Sequence, residues 1–251
     1  PGVVTGKPIE LGGALGRKQA TGGGIMLTTR NILAKMGIPM EGTDVVVQGM
    51  GNVGSISAKL LHQEGMKVIA VSDVSGGIYN PEGLNIPAIL DYLSQSRKNL
   101  LSGYDEPGAT HIDNAQLLTL KTTVLVPAAL ENQINGDNAE NIQAKLIVEA
   151  ANGPTTSEAD EILERRGITV VPDILTNAGG VVVSYFEWVQ NIQSVSWTEE
   201  HVNDELKKIM DKAFNAVWDI TQEKQTTLRT GAYLIAVKRV VDAKKARGIW
   251  P

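Results

Sequence analysis

The sequence predicts an α/β protein with a doubly wound, mostly parallel sheet and a helical C-terminal extension. Three observations carry this prediction. Short apolar runs alternate with segments of helical period along residues 45–171, as in a sheet whose strands are joined by crossover helices. The first apolar run passes directly into a glycine-rich turn. After Thr176 only helical periodicity remains, which indicates the extension.

The composition limits what the protein can be. The 251 residues include 42% hydrophobic residues, which is an ordinary value for a folded domain. A net charge of −5 and a pI near 5.3 argue against a nucleic-acid partner. With no cysteine and no metal-binding spacing among the three histidines, we expect no metal site. No apolar run approaches the roughly 18 residues of a membrane span, so we expect a cytoplasmic protein without membrane contact.

The elements follow from the N-terminus onward. Residues 1–20 are punctuated by glycine and proline and predict an extended connector. Thr21 is predicted to cap a helix that ends at Gly37. The run Val45-Val46-Val47 is typical of a strand buried on both faces, and residues 67–72 predict a second strand. The helix between these strands begins at the glycine turn and stops at Gly65.

The second half repeats this alternation. Asn85 is expected to cap a helix, and Thr155 with Glu158 predicts a capping box for another that ends at Gly167. Further strands are predicted at residues 123–126, 146–148 and 169–171. Asp173 follows the last of these strands, and we interpret it as a turn or helix-cap residue. The extension is predicted to hold helices at residues 178–195, 199–224 and 230–247.

A nucleotide-binding motif follows the first strand. Gly49-Met50-Gly51-Asn52-Val53-Gly54 matches G-x-G-x-x-G between a strand and a helix, which indicates a Rossmann-like dinucleotide site. Gly49 would permit the tight turn, Gly51 the approach of the phosphates, and Gly54 close helix–strand packing. The alternative is a glycine-rich turn that binds no ligand.

The next strand ends in Asp73, where a carboxylate can accept a hydrogen bond from a ribose 2′-hydroxyl. An acid at this position repels a 2′-phosphate, so the sequence slightly favours NAD over NADP. Ser72 or a cation from a neighbouring loop could still accommodate a phosphate. Both cofactors therefore remain open.

Several segments, taken in order, resemble the second domain of the glutamate, leucine, phenylalanine and valine dehydrogenase superfamily. Besides the glycine motif, they are Gly16-Arg17-Lys18-Gln19-Ala20-Thr21-Gly22, Val71-Ser72-Asp73, Gly77-Ile78-Tyr79-Asn80-Pro81-Glu82-Gly83-Leu84, Pro127-Ala128-Ala129-Leu130-Glu131-Asn132, Glu149-Ala150-Ala151-Asn152-Gly153-Pro154-Thr155-Thr156 and Asn177-Ala178-Gly179-Gly180-Val181. Within the superfamily the pattern is most similar to the glutamate dehydrogenases. The resemblance implies reversible oxidative deamination of L-glutamate to 2-oxoglutarate and ammonia, with hydride transfer to the nicotinamide.

The resemblance also implies site residues. On the substrate side they are Arg17, Val181 and Ser184, and a hydroxyl at Ser184 suits the γ-carboxylate of glutamate. On the cofactor side they are Thr21, Ala128, Asn152 and Asn177, in addition to Gly49, Gly51, Asn52, Val53, Gly54 and Asp73 from the glycine motif and the second strand.

The family's catalytic lysine and aspartate belong to an N-terminal substrate domain that no segment of this chain resembles. We therefore expect no catalytic residue here, and a chain that binds cofactor without turnover. The implied division is a connector at residues 1–20, a dinucleotide-binding domain at 21–176 and a helical extension packed on it at 177–251. Relatives form homo-hexamers largely through the substrate domain, so this chain alone is expected to be a monomer or weak dimer.

One departure from the family pattern and two alternative functions stay open. Gly23 stands where many relatives carry a bulkier residue, which could loosen the start of the first helix. The chain could belong to a leucine, valine or phenylalanine dehydrogenase, against which the hydroxyl of Ser184 speaks. It could also be a dinucleotide-binding module without catalysis.

Overall fold

The computed structural model describes residues 2–248, and its centre is a seven-stranded sheet. The strands are β1 (Asp44–Gln48), β2 (Lys67–Asp73), β3 (Gly76–Tyr79), β4 (Thr110–Ile112), β5 (Thr122–Pro127), β6 (Ala144–Val148) and β7 (Thr169–Val171). Their order across the sheet is β4-β3-β2-β1-β5-β6-β7. The neighbouring pairs β2–β1, β1–β5, β5–β6 and β6–β7 are parallel, whereas the pairs β2–β3 and β3–β4 are antiparallel. The predicted fold class is confirmed.

The helices are α1 (Ala20–Lys35), α2 (Asn52–Gln63), α3 (Ile86–Gln95), α4 (Asn114–Leu118), α5 (Ser157–Arg165), α6 (Asp173–Thr176), α7 (Gly179–Gln193), α8 (Glu199–Lys224) and α9 (Leu228–Arg247). The three helices predicted after Thr176 are present, with bounds that differ by at most two residues. The last three residues of the predicted extension lie outside the described range.

Side chains from successive strand positions enter two cores, one on each face of the sheet. Val45 and Val47 pack with residues of α1–α3, α8 and α9, while Val46 packs with residues of α4 and α5. All three valines are completely buried, as expected for parallel strands that are covered on both faces. A third cluster joins α1, α7 and α8 through residues such as Leu27, Phe186 and Leu206.

Two capping predictions are wrong. Helix α1 begins earlier, with Gln19 at the N-cap position, because residues 14–19 already form turns that lead into it. Thr21 therefore lies within the first helical turn. At α5, Thr156 rather than Thr155 is the cap, since its side chain accepts a hydrogen bond from the amide of Ala159. This shift places Glu158 one position too early for a capping box.

The N-terminal segment contacts α7 before the chain enters the sheet. It contains one short 3-10 turn, Ile9–Leu11, and is otherwise irregular. The buried carboxylate of Glu187 accepts hydrogen bonds from Gly6 N at 2.8 Å and from the Lys7 ammonium at 2.5 Å. Farther along, Asn191 donates to Gly12 O at 2.7 Å. The division into connector, cofactor domain and extension remains a prediction.

Candidate functional site

A groove runs along the edge of the sheet where the parallel strands end. The chain order reverses at β1, which lies between β2 and β5. Open α/β sheets bind ligands at such a switch point, outside the carboxyl ends of the strands. Here β1 is followed by Gly49 and β5 by Ala128, and Ala128 N donates to Gln48 O at 2.9 Å. The two loops are thus fixed side by side at the groove.

The glycine turn is shaped by close backbone contacts. Gly49 has φ +92°, and a Cβ there would lie 3.0 Å from Ala129 Cα. A Cβ at Gly54 would lie only 1.7 Å from Gly49 O, so both positions require glycine. Gly51 differs, because its Cβ would meet no protein atom within 4 Å. Its surroundings leave space for a ligand above the N-terminus of α2.

The N-terminus of α2 carries amides that its own hydrogen-bond ladder does not use. The first bond of the helix runs from Ser55 N to Gly51 O at 3.0 Å. The amides of Asn52, Val53 and Gly54 precede it, and such amides together with the helix dipole favour an anion. Asn52 and Gly54 do not line either of the two cavities of the groove described below.

The first cavity, of about 600 Å³, extends from the glycine turn across the ends of β1 and β2. It contains four of the predicted cofactor residues, Gly49, Gly51, Asp73 and Ala128. The other lining residues include several from the segment at and after the end of α3, from the loop after β5 and from α4: Leu93, Ser96, Arg97, Asn99, Leu100, Asn114, Ala129, Leu130 and Gln133.

Asp73 lies at the cavity wall but also holds two loops. Its Oδ1 accepts hydrogen bonds from Ser75 N at 2.8 Å and Ser75 Oγ at 2.5 Å, and its Oδ2 accepts from Leu101 N at 2.7 Å. The buried Ser72 hydroxyl accepts from Gly49 N at 3.1 Å, which ties β2 to the glycine turn. The exposed Arg97 lines the same cavity.

The second cavity, of about 900 Å³, continues the groove on the other side of Ala128–Leu130. It brings together Arg17, Thr21, Val53, Ala128, Asn152, Asn177, Val181 and Ser184, all of which were predicted as site residues. Arg17 Nε donates to Ser184 Oγ at 2.9 Å, and Asn177 Nδ2 donates to Asn152 Oδ1 at 2.8 Å. The predicted substrate residues thus meet five of the predicted cofactor residues in one cavity, and what each of them binds remains a prediction.

Small residues let α1 approach α6 and α7 closely enough to build this wall. A Cβ at Gly24 would lie 3.0 Å from Gly179 N and Thr176 O. At Gly180 it would lie 2.6 Å from Thr21 Oγ1. Thr21 therefore faces α7 rather than capping its own helix, which explains the failure of the capping prediction.

Sequence reasoning missed several residues of the groove, among them Thr5, Gln48 and Arg97. Thr5 lines the second cavity, while Gln48 and Arg97 line the first. Gln48 is 1% exposed; its amide nitrogen donates to Asn114 and Gln133 at 2.8 Å each, and its Oε1 has no partner among residues 2–248. Gln48 adjoins the glycine motif, a position that could have drawn attention. Thr5 and Arg97 reach the groove only through tertiary packing.

The described residues contain neither a membrane-spanning helix nor a metal-binding group of side chains. Among residues 2–248, no helix combines the length and the apolar character needed to cross a bilayer. Within the same residues, histidine, aspartate and glutamate side chains do not form a group that would hold a metal ion.

Comparisons with known proteins agree with this geometry. The chain is 51% identical, over its whole length, to a glutamate dehydrogenase of Thermotoga maritima. It is 49% identical to an NADP-specific glutamate dehydrogenase of Synechocystis and 46% identical to a cryptic catabolic NAD-specific glutamate dehydrogenase of Bacillus subtilis, over 99% of the chain in both cases. It covers 59%, 59% and 57% of these three relatives, so it spans less than two thirds of their length.

A solved structure and a family model extend the comparison. The hetero-hexameric glutamate dehydrogenase of Thermus thermophilus in its leucine-bound form superposes with a TM-score of 0.91 at 35% identity. That match covers 99% of this chain and 58% of the Thermus chain. The family model for glutamate/leucine/phenylalanine/valine dehydrogenases matches residues 12–248. Because the match extends over nearly the whole sequence, the chain belongs to the glutamate/leucine/phenylalanine/valine dehydrogenase family.

Proposed function

We propose that this chain forms the NAD(P)-binding wall of a glutamate dehydrogenase that interconverts L-glutamate with 2-oxoglutarate and ammonia. The observation that carries the proposal is the continuous groove at the switch point. It joins the glycine turn at one end to the Arg17–Ser184 pair at the other. The glutamate dehydrogenases among the relatives support the choice of substrate.

The residues of the first cavity fit the adenosine and pyrophosphate half of a dinucleotide. The open space above Gly51 accommodates phosphate oxygens close to the backbone, and the amides at the start of α2 can donate to them. The buried Gln48 Oε1 is an acceptor to which none of the described residues donates, and a hydroxyl or amino group of the ligand would satisfy it.

The second cavity fits the nicotinamide half and the substrate. The bound nicotinamide supplies the hydride acceptor, and the chain's own residues bind and orient what reacts with it. The Arg17 guanidinium is always charged and can bind a substrate carboxylate through its planar array of N–H groups. The hydrogen bond from Nε to Ser184 fixes one edge of the guanidinium. Nη1 lies 3.7 Å from the position that a Cβ at Gly180 would take, so this nitrogen lies beside α7. The Ser184 hydroxyl is the proposed contact of the γ-carboxylate.

The proton transfers of amine oxidation need acid–base groups, which we assign to residues outside this chain. The 251-residue chain is therefore expected to bind cofactor without turnover. In the full-length protein we propose a homo-hexamer; the Thermus neighbour, a hetero-hexamer, supports the number of six chains. A cytoplasmic location likewise remains a proposal from the sequence.

The preference between NAD and NADP rests on two side chains of the first cavity. The Asp73 carboxylate disfavours a 2′-phosphate, whereas the exposed Arg97 could attract one. NAD is slightly favoured, because Asp73 lies at the end of β2 where a ribose is expected. The relatives include both NAD-specific and NADP-specific enzymes. Side-by-side titration with NADH and NADPH would decide the preference.

The test of cofactor binding uses Gly51→Ala. A methyl group at this position meets no protein atom within 4 Å, and φ is −75°, so the fold should tolerate it. The same methyl group would occupy the space assigned to the pyrophosphate. We expect binding of NADH, followed by nicotinamide fluorescence, to weaken by about 100-fold or more, since one misplaced ångström is costly at such a site.

The melting temperature of the free chain serves as the control and should stay unchanged in this variant. If Gly51→Ala binds NADH as tightly as the parent chain does, the pyrophosphate does not lie at this turn. Failure of the parent chain to bind either cofactor while folded would contradict the proposed function itself.

A further inference from the structure

Two acidic side chains lie behind the nicotinamide end of the groove without lining it. Glu149 immediately follows β6 and is fully buried, and Asp173 is the first residue of α6. Neither belongs to the lining of the two groove cavities. A buried carboxylate is costly unless it is paired and hydrogen-bonded, so the partners of Glu149 show how its position is used.

The partner of Glu149 is Arg229 at the start of α9. The guanidinium Nη1 and Nη2 donate to the two carboxylate oxygens of Glu149 at 3.0 and 2.8 Å, a bidentate arrangement. Nε and Nη2 also donate to Asp160 at 2.6 and 3.1 Å. Burial lowers the pKa of Arg229, but the hydrogen bonds that it donates to Glu149 and Asp160 outweigh this effect and raise the pKa above its ordinary value. The arginine is therefore held charged in one geometry.

The two carboxylates connect Arg229 to the backbone of the groove wall. Glu149 Oε2 accepts from Asp173 N at 2.9 Å, which joins the end of β6 to the start of α6. Asp173 Oδ2 accepts in turn from Gly153 N at 2.8 Å, which fixes the loop after β6. The hydroxyl of Thr176 adds a bond to Glu149 O. These bonds determine where the loop and the short helix lie relative to each other.

The fixed segments are those that present Asn152 and Asn177. Asn152 directly precedes Gly153, and Asn177 follows α6, one turn after Asp173. Their side chains meet at 2.8 Å in the second cavity. A shift of either segment would separate the two amides and change the donors and acceptors that this end of the groove presents.

We propose that Arg229 is a positioning residue: through Glu149 and Asp173 it holds the Asn152–Asn177 pair in the geometry that binds the nicotinamide half of the cofactor. The proposal rests on the proposed function, because it assigns that half to the second cavity. It also links α9 to the chemistry of the groove. A buried ion pair is weak evidence for stability, since well-packed apolar residues often replace one without loss. Its connection to Asp173 and Gly153 therefore needs another explanation, and positioning supplies it.

The test compares Arg229→Lys with Arg166→Lys. Lysine keeps the charge but lacks the fork that holds both oxygens of Glu149. Arg166 is a matched control, because its side chain is 28% exposed against 22% for Arg229 and it donates to two backbone carbonyls, Ala139 O and Ile142 O. Those carbonyls precede β6, at the edge of the sheet opposite the groove.

Comparing the binding of two ligands distinguishes effects on the two halves of the groove. ADP ends before the nicotinamide ribose, whereas NADH continues into the second cavity. Arg229→Lys is expected to weaken the binding of NADH by about tenfold, because the Asn152–Asn177 pair would be displaced from the nicotinamide half. Its affinity for ADP should stay within about twofold, because that half lies away from the change. Amide hydrogen exchange at Gly153 and Asp173 should become faster in the free chain, which tests positioning without any ligand. Arg166→Lys should change none of these.

A second variant covers the case in which a lone buried charge disturbs folding. The pair Glu149→Met with Arg229→Met removes both charges but leaves Asp173 N without its acceptor. We expect this variant to fold, bind ADP normally and bind NADH weakly. Parent-like NADH affinity would mean that Arg229 only neutralises Glu149, and the inference would fail. An equal loss of ADP and NADH in Arg229→Lys would also overturn it. Both results differ from failure of the proposed function, in which the parent chain binds neither ligand.

Discussion

Gly23 and Gly24 are adjacent in α1 but face different surroundings. A Cβ at Gly23 would lie 3.7 Å from Leu206 Cδ2, an ordinary van der Waals contact. At Gly24 it would lie 3.0 Å from two backbone atoms, Gly179 N and Thr176 O, which cannot move aside easily. The start of α1 is regular at Gly23, whose amide donates to Gln19 O at 2.8 Å. Only one of the two glycines is therefore required by packing.

Gly23→Ala should stabilise the chain by about 0.5–1 kcal/mol, because alanine loses less backbone entropy than glycine in a helix. Gly24→Ala is the matched control and should destabilise it by about 1–3 kcal/mol through crowding of the α1–α7 contact. Urea unfolding of both variants measures the two effects. Destabilisation by Gly23→Ala would mean that α8 cannot accommodate even one methyl group.

For single residues, the sequence predicts a role correctly where that role depends on neighbours along the chain. Asn85 caps α3 as predicted, since its side chain accepts from Ala88 N, three residues on. The glycine motif is equally local. Thr21 was assigned wrongly because a tertiary contact with Gly180 determines its position. Thr5 and Arg97 carry no local signal at all, so only the folded chain places them in the groove.

Helix α7 is joined to the N-terminal segment through a buried ion pair. Glu187 is fully buried and the Lys7 side chain is 11% exposed. Burial raises the pKa of Glu187, but hydrogen bonds from the Lys7 ammonium and from the amides of Gly6 and Lys7 outweigh it and lower the pKa below its usual range. One helical turn earlier, Ser184 receives the bond from Arg17. The pair thus anchors the segment on the helix that carries part of the site.

Lys7→Met should destabilise the chain at neutral pH by about 3 kcal/mol, because it leaves a buried carboxylate without its counterion. A lowered folded-state pKa contributes stability above the unfolded-state pKa, near 4.3, and this contribution is lost as the pH falls through the folded-state value. The difference between Lys7→Met and the parent chain should therefore shrink below about pH 4. Urea unfolding at pH 7 and at acidic pH measures it.

Lys207→Met provides the comparison for an exposed pair. Lys207 donates to Asp211 at 2.6 Å on the surface of α8, with 53% of its side chain exposed. Its removal should cost at most about 0.5 kcal/mol. If the effect of Lys7→Met were equally small or independent of pH, the ion pair with Glu187 would not anchor the segment.

Elements were predictable where burial imposes a pattern. The all-apolar core of β1 and the alternation of strands with helices specify the parallel part of the sheet. Strands β3 and β4 were not predicted, because β3 begins with two glycines and β4 has three residues, of which two are exposed. Such antiparallel additions are fixed by strand pairing, of β3 with β2 and of β4 with β3, and leave little trace in hydropathy. Helix α4 was not predicted either, and it is also short, with five residues.

For the whole molecule, we expect the outer surface of α9 to govern how copies of the chain associate. Its exposed apolar side chains lie at helical spacing: Tyr233, Leu234, Val237, Val240 and Val241. The same helix carries five cations towards its C-terminal end, at Lys238, Arg239, Lys244, Lys245 and Arg247. Apolar area favours association, whereas like charges on two facing copies oppose it.

We therefore expect a monomer that associates weakly and reversibly into a dimer. Five apolar side chains are far fewer than the roughly 20–30 residues that each partner contributes to a stable interface. Light scattering should give a mass between the 26.9 kDa of one chain and twice that value, rising with protein concentration. Added salt should strengthen association, because it screens the repulsion between the α9 cations of two facing copies and leaves the apolar contact in place. Val237→Glu should return the mass to that of a single chain at all concentrations. A stable six-chain particle, or association that salt abolishes, would mean that a different surface holds the copies together.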